Sequence, residues 1–221
     1  MKPEDIRLAY LQISSPKPNV FIGGVMVTDG RGLPIEFRYT DPISPSKIQQ
    51  ILYGEKLSSY IKRDVITETL MRNIETKFKS LLVQDEHLLT FPLKGITMVR
   101  VMETKSAPLG AAGKFQEISP TEILVQASKD ACPIRLYLPQ PIRALKPEEI
   151  QANGGKPSTS NQPPATGSNQ SSSTEEETQL PDYLDPILMA GIYMDVFEPV
   201  RRVDKALETI CLEEGLLSPA R

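Results

Sequence analysis

Between residues 151 and 179 the chain contains no Val, Ile, Leu, Met, Phe, Tyr or Cys. Only Ala152 and Ala165 are weakly apolar. The rest is Asn, Gly, Lys, Pro, Ser, Thr, Gln and the acidic run Glu175, Glu176, Glu177. A stretch with so little to bury cannot offset the roughly 1–2 kcal/mol per residue that ordering a backbone costs. Apolar, element-like sequence resumes at Leu180. The chain is therefore expected to form a main body over 1–143, a flexible tether over 144–181, and a returning segment over 182–217 that packs back on the body.

Without the tether, about one domain of ordinary size remains. The apolar fraction is 39%, or about 45% with the 13 glycines, enough for a real core. No run approaches the roughly 20 apolar residues of a membrane helix. Residues 1–5 lack the apolar stretch of a signal peptide. Cys132 and Cys211 form neither a CxxC pair nor a zinc spacing. These features point to a cytoplasmic setting with no membrane partner. The net charge of -3 divides unevenly, with 20 basic and 17 acidic residues in 1–150 but 4 and 8 in 180–221. The basic residues of the body are spread singly along the sequence. Nucleic acid is accordingly not the expected partner, because its binders normally cluster Lys and Arg.

Apolar residues mark strands at 6–14 and 20–28, period-two alternation marks one at 33–39, and turn residues at 29–32 join the last two as a hairpin. Ser44 and Pro45 read as the start of a helix that buries Ile48, Ile51 and Leu52. A second helix over 58–74 buries Ile61, Val65, Leu70 and Ile74. Further strands are expected at 80–85, 96–102, 122–127 and 134–138, the last at a sheet edge because Pro133 and Pro139 bound it. After the tether, 187–197 reads as a strand and 199–214 as a helix with Val200, Val203, Leu207, Ile210 and Cys211 on one stripe. Gly23 and Gly24, inside a strand, mark a bulge or a close backbone approach. The expected fold is a single α+β domain. A mostly antiparallel sheet of six to eight strands is covered by two or three helices and interrupted by the polar insertion.

Motifs with a defined chemistry are missing. The SxxK matches at Ser44 and Ser59 lack their SDN and KTG partners. Gly110 to Gly113 is not a phosphate loop, although with Lys114 it could cover a small anionic ligand. No cofactor is expected. His87, the single histidine, follows Asp85, and the two could ligate a metal or form a polar turn. The strands ending at Asp29 and Asp85 resemble each other, and Asp195 lies near the end of a third. Carboxylates that converge from strand ends can hold divalent ions for phosphoester hydrolysis. The leading expectation is nevertheless a non-enzymatic protein-binding or scaffold module, its partner a protein or another copy of the chain. The alternative is a divalent-metal-dependent phosphoester hydrolase of the nuclease or phosphatase kind, using Asp29, Asp85 and Asp195.

Overall fold

The computed structural model describes residues 2–127, 132–142 and 180–217, so the expected tether lies outside the described residues except for Leu180 and Pro181. Eight strands form one sheet in the order β3-β2-β1-β4-β5-β8-β7-β6. The strands β1 (Leu8–Lys17), β2 (Val20–Thr28) and β3 (Pro34–Tyr39) are an antiparallel meander. On the other side of β1, β4 (Ser80–Val83) and β5 (Thr97–Glu103) run parallel to it. Then β8 (Ile134–Tyr137), β7 (Glu122–Val125) and β6 (Phe115–Ser119) extend the sheet antiparallel.

The class is α+β, but the sheet is mixed rather than mostly antiparallel. The reason is the connection between β3 and β4. A parallel neighbour needs a crossover of a dozen or more residues, and the helical stretch between these strands supplies one. The apolar run of β4, buried on both faces, is what a central parallel strand requires. It carries no mark of strand direction. β8 is internal, between β5 and β7, because Pro133 and Pro139 fall outside its hydrogen-bonded residues.

The helix α1 (Lys47–Tyr53) starts from Ser46, not Ser44. The Ser46 hydroxyl accepts from the Gln49 N–H while the Gln49 side chain accepts from the Ser46 N–H. Its expected buried face is in solvent, with Ile48, Ile51 and Leu52 exposed by 69%, 80% and 75%. The spacing gathers these residues on one side, but α1 buries none of its residues.

From Lys56 to Asn73 the chain is continuously helical, as α2 (Lys56–Tyr60), a π-helical stretch (Ile61–Thr67) and α3 (Glu68–Asn73). The Thr67 hydroxyl donates to the Lys62 carbonyl at 2.7 Å. Ile61 and Leu70 are buried as expected, but Ile66 takes the place assigned to Val65, because the wider turn advances the buried face by one residue.

The returning segment holds helices where a strand is expected. Residues 187–197 begin inside α4 (Asp185–Ala190) and continue as turns, and α5 (Glu198–Glu213) follows. Pro186, in the first turn of α4, suits a helix start. Gly191 sits where a Cβ would meet the Gln126 carbonyl at 3.3 Å. Val200, Val203, Leu207 and Cys211 are buried, and α5 packs on β1 and β2.

Each face of the sheet has its own core. One joins Leu8, Tyr10, Leu82, Val99, Val101 and Leu136 to the segment 180–217. The other joins Ala9, Leu11, Val25, Leu81 and Val83 to Leu57, Ile61, Ile66 and Leu70. The two adjacent glycines of β2 serve opposite faces. A Cβ on Gly23 would lie 2.2 Å from Ile66 Cγ2, and one on Gly24 would lie 3.0 Å from Leu207 Cδ2. Both are close approaches, as expected of such a pair. No helix among the described residues is long and apolar enough to cross a membrane.

Glu36 ties β3 to the residues after α3. Its carboxylate accepts the Thr76 N–H at 2.9 Å, the Glu75 N–H at 3.2 Å and Arg38 Nε at 3.0 Å. Burial works against its charge, but the bonds from Thr76, Glu75 and Arg38 outweigh it and hold the pKa at about 2. A lowered folded-state pKa gives stability that is complete above the unfolded value, near 4.5, and lost as pH falls through about 2. Glu36→Gln is expected to cost about 1 kcal/mol at neutral pH, allowing for partial solvent screening. Its difference from the wild type should shrink between about pH 4.5 and pH 2, as urea titrations across that range would record.

Candidate functional site

The parallel strands β1, β4 and β5 run side by side in the register Leu11↔Val83↔Arg100, so β4 ends level with the interior of β1 and of β5. From β1 the chain builds outward through β2 and β3 on one side and β4 and β5 on the other. In open sheets such a reversal of order leaves a crevice at the carboxyl ends of the strands, where ligands bind.

The residues that follow β4, from Gln84 to Phe91, collect cations from two other elements. Lys62, from the π-helical stretch, donates its Nζ to Asp85 Oδ2 at 2.7 Å. Arg63, its neighbour, lies with its guanidinium 5.1 Å from the Phe91 ring centroid. Arg100, from β5, donates Nε to the Gln84 carbonyl at 3.1 Å and pairs with Glu86 at 3.2 Å. Its guanidinium also covers the Tyr137 ring of β8 at 5.1 Å. Burial would push the Asp85 carboxyl up, but the Lys62 ammonium and the His87 N–H hold it below the usual carboxylate range. Asp85 is therefore ionised at neutral pH.

The three aspartates of the sequence argument do not converge. Asp85 follows β4, which is parallel to β1, whereas Asp29 follows β2, which is antiparallel to it. Leu8 lies opposite Thr28 and Leu11 opposite Val83, so Asp29 is level with residue 7 and Asp85 with residue 13. At about 3.3 Å per residue they are roughly 20 Å apart along the strand direction. Asp29 closes the hairpin turn. One oxygen accepts the Arg31 and Leu33 N–H groups, each at 2.9 Å, and the other accepts Arg31 Nε and Nη2 at 3.2 and 3.1 Å. Asp195 caps the turn before α5 through the Phe197 N–H at 2.9 Å and meets Arg201 at 3.4 Å. Asp85 and His87 touch through the His87 backbone N–H at 3.0 Å, the geometry of a polar turn. Among the described residues no three His, Cys, Asp or Glu side chains stand close enough to hold a metal ion. A metal held by protein groups alone does not fit these residues.

Sequence reasoning missed Lys62, Arg63 and Arg100 as a group. The crossover between β3 and β4 brings the first two to the carboxyl end of β4, and the parallel register of β5 brings the third. A signal existed in the adjacent pair Lys62 and Arg63 on a helix that precedes a buried strand.

No family model matches the chain, and no curated protein matches it. Solved structures do. The chain is similar to the catalytic domain of human Endonuclease V, with 11% identity, 96% of this chain and 85% of that one covered, and a TM-score of 0.46. It is also similar to Ciona intestinalis Endonuclease V in complex with inosine-containing DNA, with 11% identity, 60% and 70% covered, and a TM-score of 0.34. Aquifex aeolicus Argonaute matches at 11% identity, 61% and 22% covered, and a TM-score of 0.38. At these identities the likeness is one of fold.

Two expectations are corrected. The solved structures similar to the chain include endonucleases, one of them in complex with DNA, and do not match the leading expectation of a non-enzymatic protein-binding scaffold. Nor do they match the exclusion of nucleic acid as a partner, since one of them holds inosine-containing DNA. That exclusion rested on basic residues being scattered in sequence, and Lys62, Arg63 and Arg100 are gathered in space.

Proposed function

We propose that this protein binds nucleic acid at the carboxyl end of β4 and the neighbouring middle of β5. One observation carries the reading: Lys62, Arg63 and Arg100 converge on the single segment 84–91, with the rings of Phe91 and Tyr137 beside two of them. Guanidinium and ammonium groups bind phosphates, and guanidinium planes with aromatic rings suit bases. Lys62 and Arg100 are paired with carboxylates in the free protein, so a phosphate displaces Asp85 or Glu86 from its cation rather than meeting a bare charge.

Fluorescence anisotropy with labelled oligonucleotides, repeated across a salt series, tests this. Binding should weaken with salt, and Lys62→Met or Arg100→Gln should each reduce the logarithmic salt slope by about 0.7–0.9. No binding at about 50 mM salt would reject the proposal.

Divalent-metal-dependent phosphoester hydrolysis is the second reading, favoured by Asp85, held ionised at the end of the central strand. Any ion there would need oxygens of the substrate's own phosphates to complete its shell, as Mg²⁺ commonly does. Cleavage of end-labelled strands with Mg²⁺ or Mn²⁺, abolished in Asp85→Asn, would support it. Intact strands after prolonged incubation would leave a binding protein.

A further inference from the structure

The two halves of the sheet are covered differently. On the face that carries Leu81 and Val83, the helical stretch between β3 and β4 packs over β1, β2 and β4 and reaches only Met98 of β5. Beyond that line the register sets two rows of side chains on the same face. One row is Arg100, Tyr137 and Glu122, across β5, β8 and β7. The next is Met102, Arg135, Leu124 and Gln116, which continues onto β6. The opposite face of these strands is sealed by the segment 180–217. Exposure along the two rows is uneven: Leu124 is buried at 6% and the Glu122 side chain is 19% exposed. Met102 is 37% exposed and the Arg135 side chain 36%.

This face begins where the proposed site ends, because Arg100 belongs to both. The Tyr137 ring lies at its centre with the Arg100 guanidinium against it, Met102 is exposed nearby, and Leu124 lies buried beneath the row. Its cations are neutralised, Arg100 by Glu86 at 3.2 Å and Arg135 by Glu122 at 3.0 Å. A duplex, whose attraction comes mainly from phosphate charge and whose bases are already stacked, gains little from such a surface. An unpaired base gains a stacking partner whatever the net charge, and every base has a face to offer.

We infer that the partly exposed face of β5 and β8 takes the unpaired bases of a single-stranded nucleic acid, with Tyr137 as the stacking residue. This rests on the nucleic-acid reading above and narrows it to a substrate class. The strand's backbone lies over Lys62, Arg63 and Arg100 at the edge, and its bases turn onto the sheet.

The test uses the full chain with labelled strands about 12 nucleotides long, single or annealed to their complements. The single strand should bind more tightly than the duplex. Tyr137→Ala should weaken single-strand binding about tenfold or more, with the salt slope unchanged because no charge is removed. Tyr137→Phe should bind like the wild type, since the ring is kept. A bromouridine-substituted strand, photo-crosslinked to the unmutated protein and mapped by mass spectrometry, should mark Tyr137, which keeps the test independent of how the alanine variant folds. Equal or tighter duplex binding, or no crosslink at Tyr137 and no loss in Tyr137→Ala, overturns this inference and leaves the wider proposal standing. Absence of binding to any strand overturns both.

Discussion

Gly23→Ala is expected to lower the unfolding free energy by about 2 kcal/mol, a larger effect than one added methyl group suggests. The new Cβ would lie 2.2 Å from Ile66 Cγ2, well inside contact distance. Ile66 is fully buried and β-branched, so it has no flexible end to swing aside. Overpacking of this kind costs about 1–3 kcal/mol. Replacing glycine at ordinary backbone angles returns about 0.4–1 kcal/mol through the unfolded chain. A double-mutant cycle identifies the cause. Ile66→Ala alone should cost about 2–5 kcal/mol by leaving a cavity. In the Gly23→Ala, Ile66→Ala pair the added methyl occupies part of that cavity, so the pair should be more stable than the sum by about 1 kcal/mol. Strict additivity in urea titrations would mean that Ile66 is not the obstacle.

Leu207→Ala should cost about 3 kcal/mol, the middle of the range for a buried leucine. Leu207 is fully buried on α5 and packs over Gly24, from the opposite side of the strand to Ile66. The loss should appear as a lower urea midpoint with an unchanged slope, the sign of a destabilised but intact native state. A loss under about 1 kcal/mol would contradict α5 as the cover of this face.

Local features were legible where a side chain completes its own turn. The hairpin at 29–32 could be read because Asp29 binds the N–H groups of Arg31 and Leu33. The stripe of α5 could be read because the sheet beneath it is continuous. Features that depend on direction were not legible. Two strands that end alike, at Asp29 and at Asp85, point opposite ways, because β2 is antiparallel and β4 parallel to β1. The same parallel crossover assembled Lys62, Arg63 and Arg100 from distant parts of the sequence. In α1 the periodicity misled. Ile48, Ile51 and Leu52 share a side, but periodicity reports only which residues face together and not whether anything lies opposite.

The π-helical turn at 61–67 bears on how this chain can tolerate insertions and deletions. Such a turn is an α-helix carrying one residue more than its hydrogen bonds need. Ile61 before it and Leu70 after it both face the sheet. Removing one residue within the stretch would return it to an ordinary α-helix and rotate everything beyond by about 100°. Leu70 would then leave the core, or Lys62 and Arg63 would leave the end of β4. The surplus residue lets one helix serve both its packing and the cations it carries, and a family tree of such chains should show this segment fixed in length.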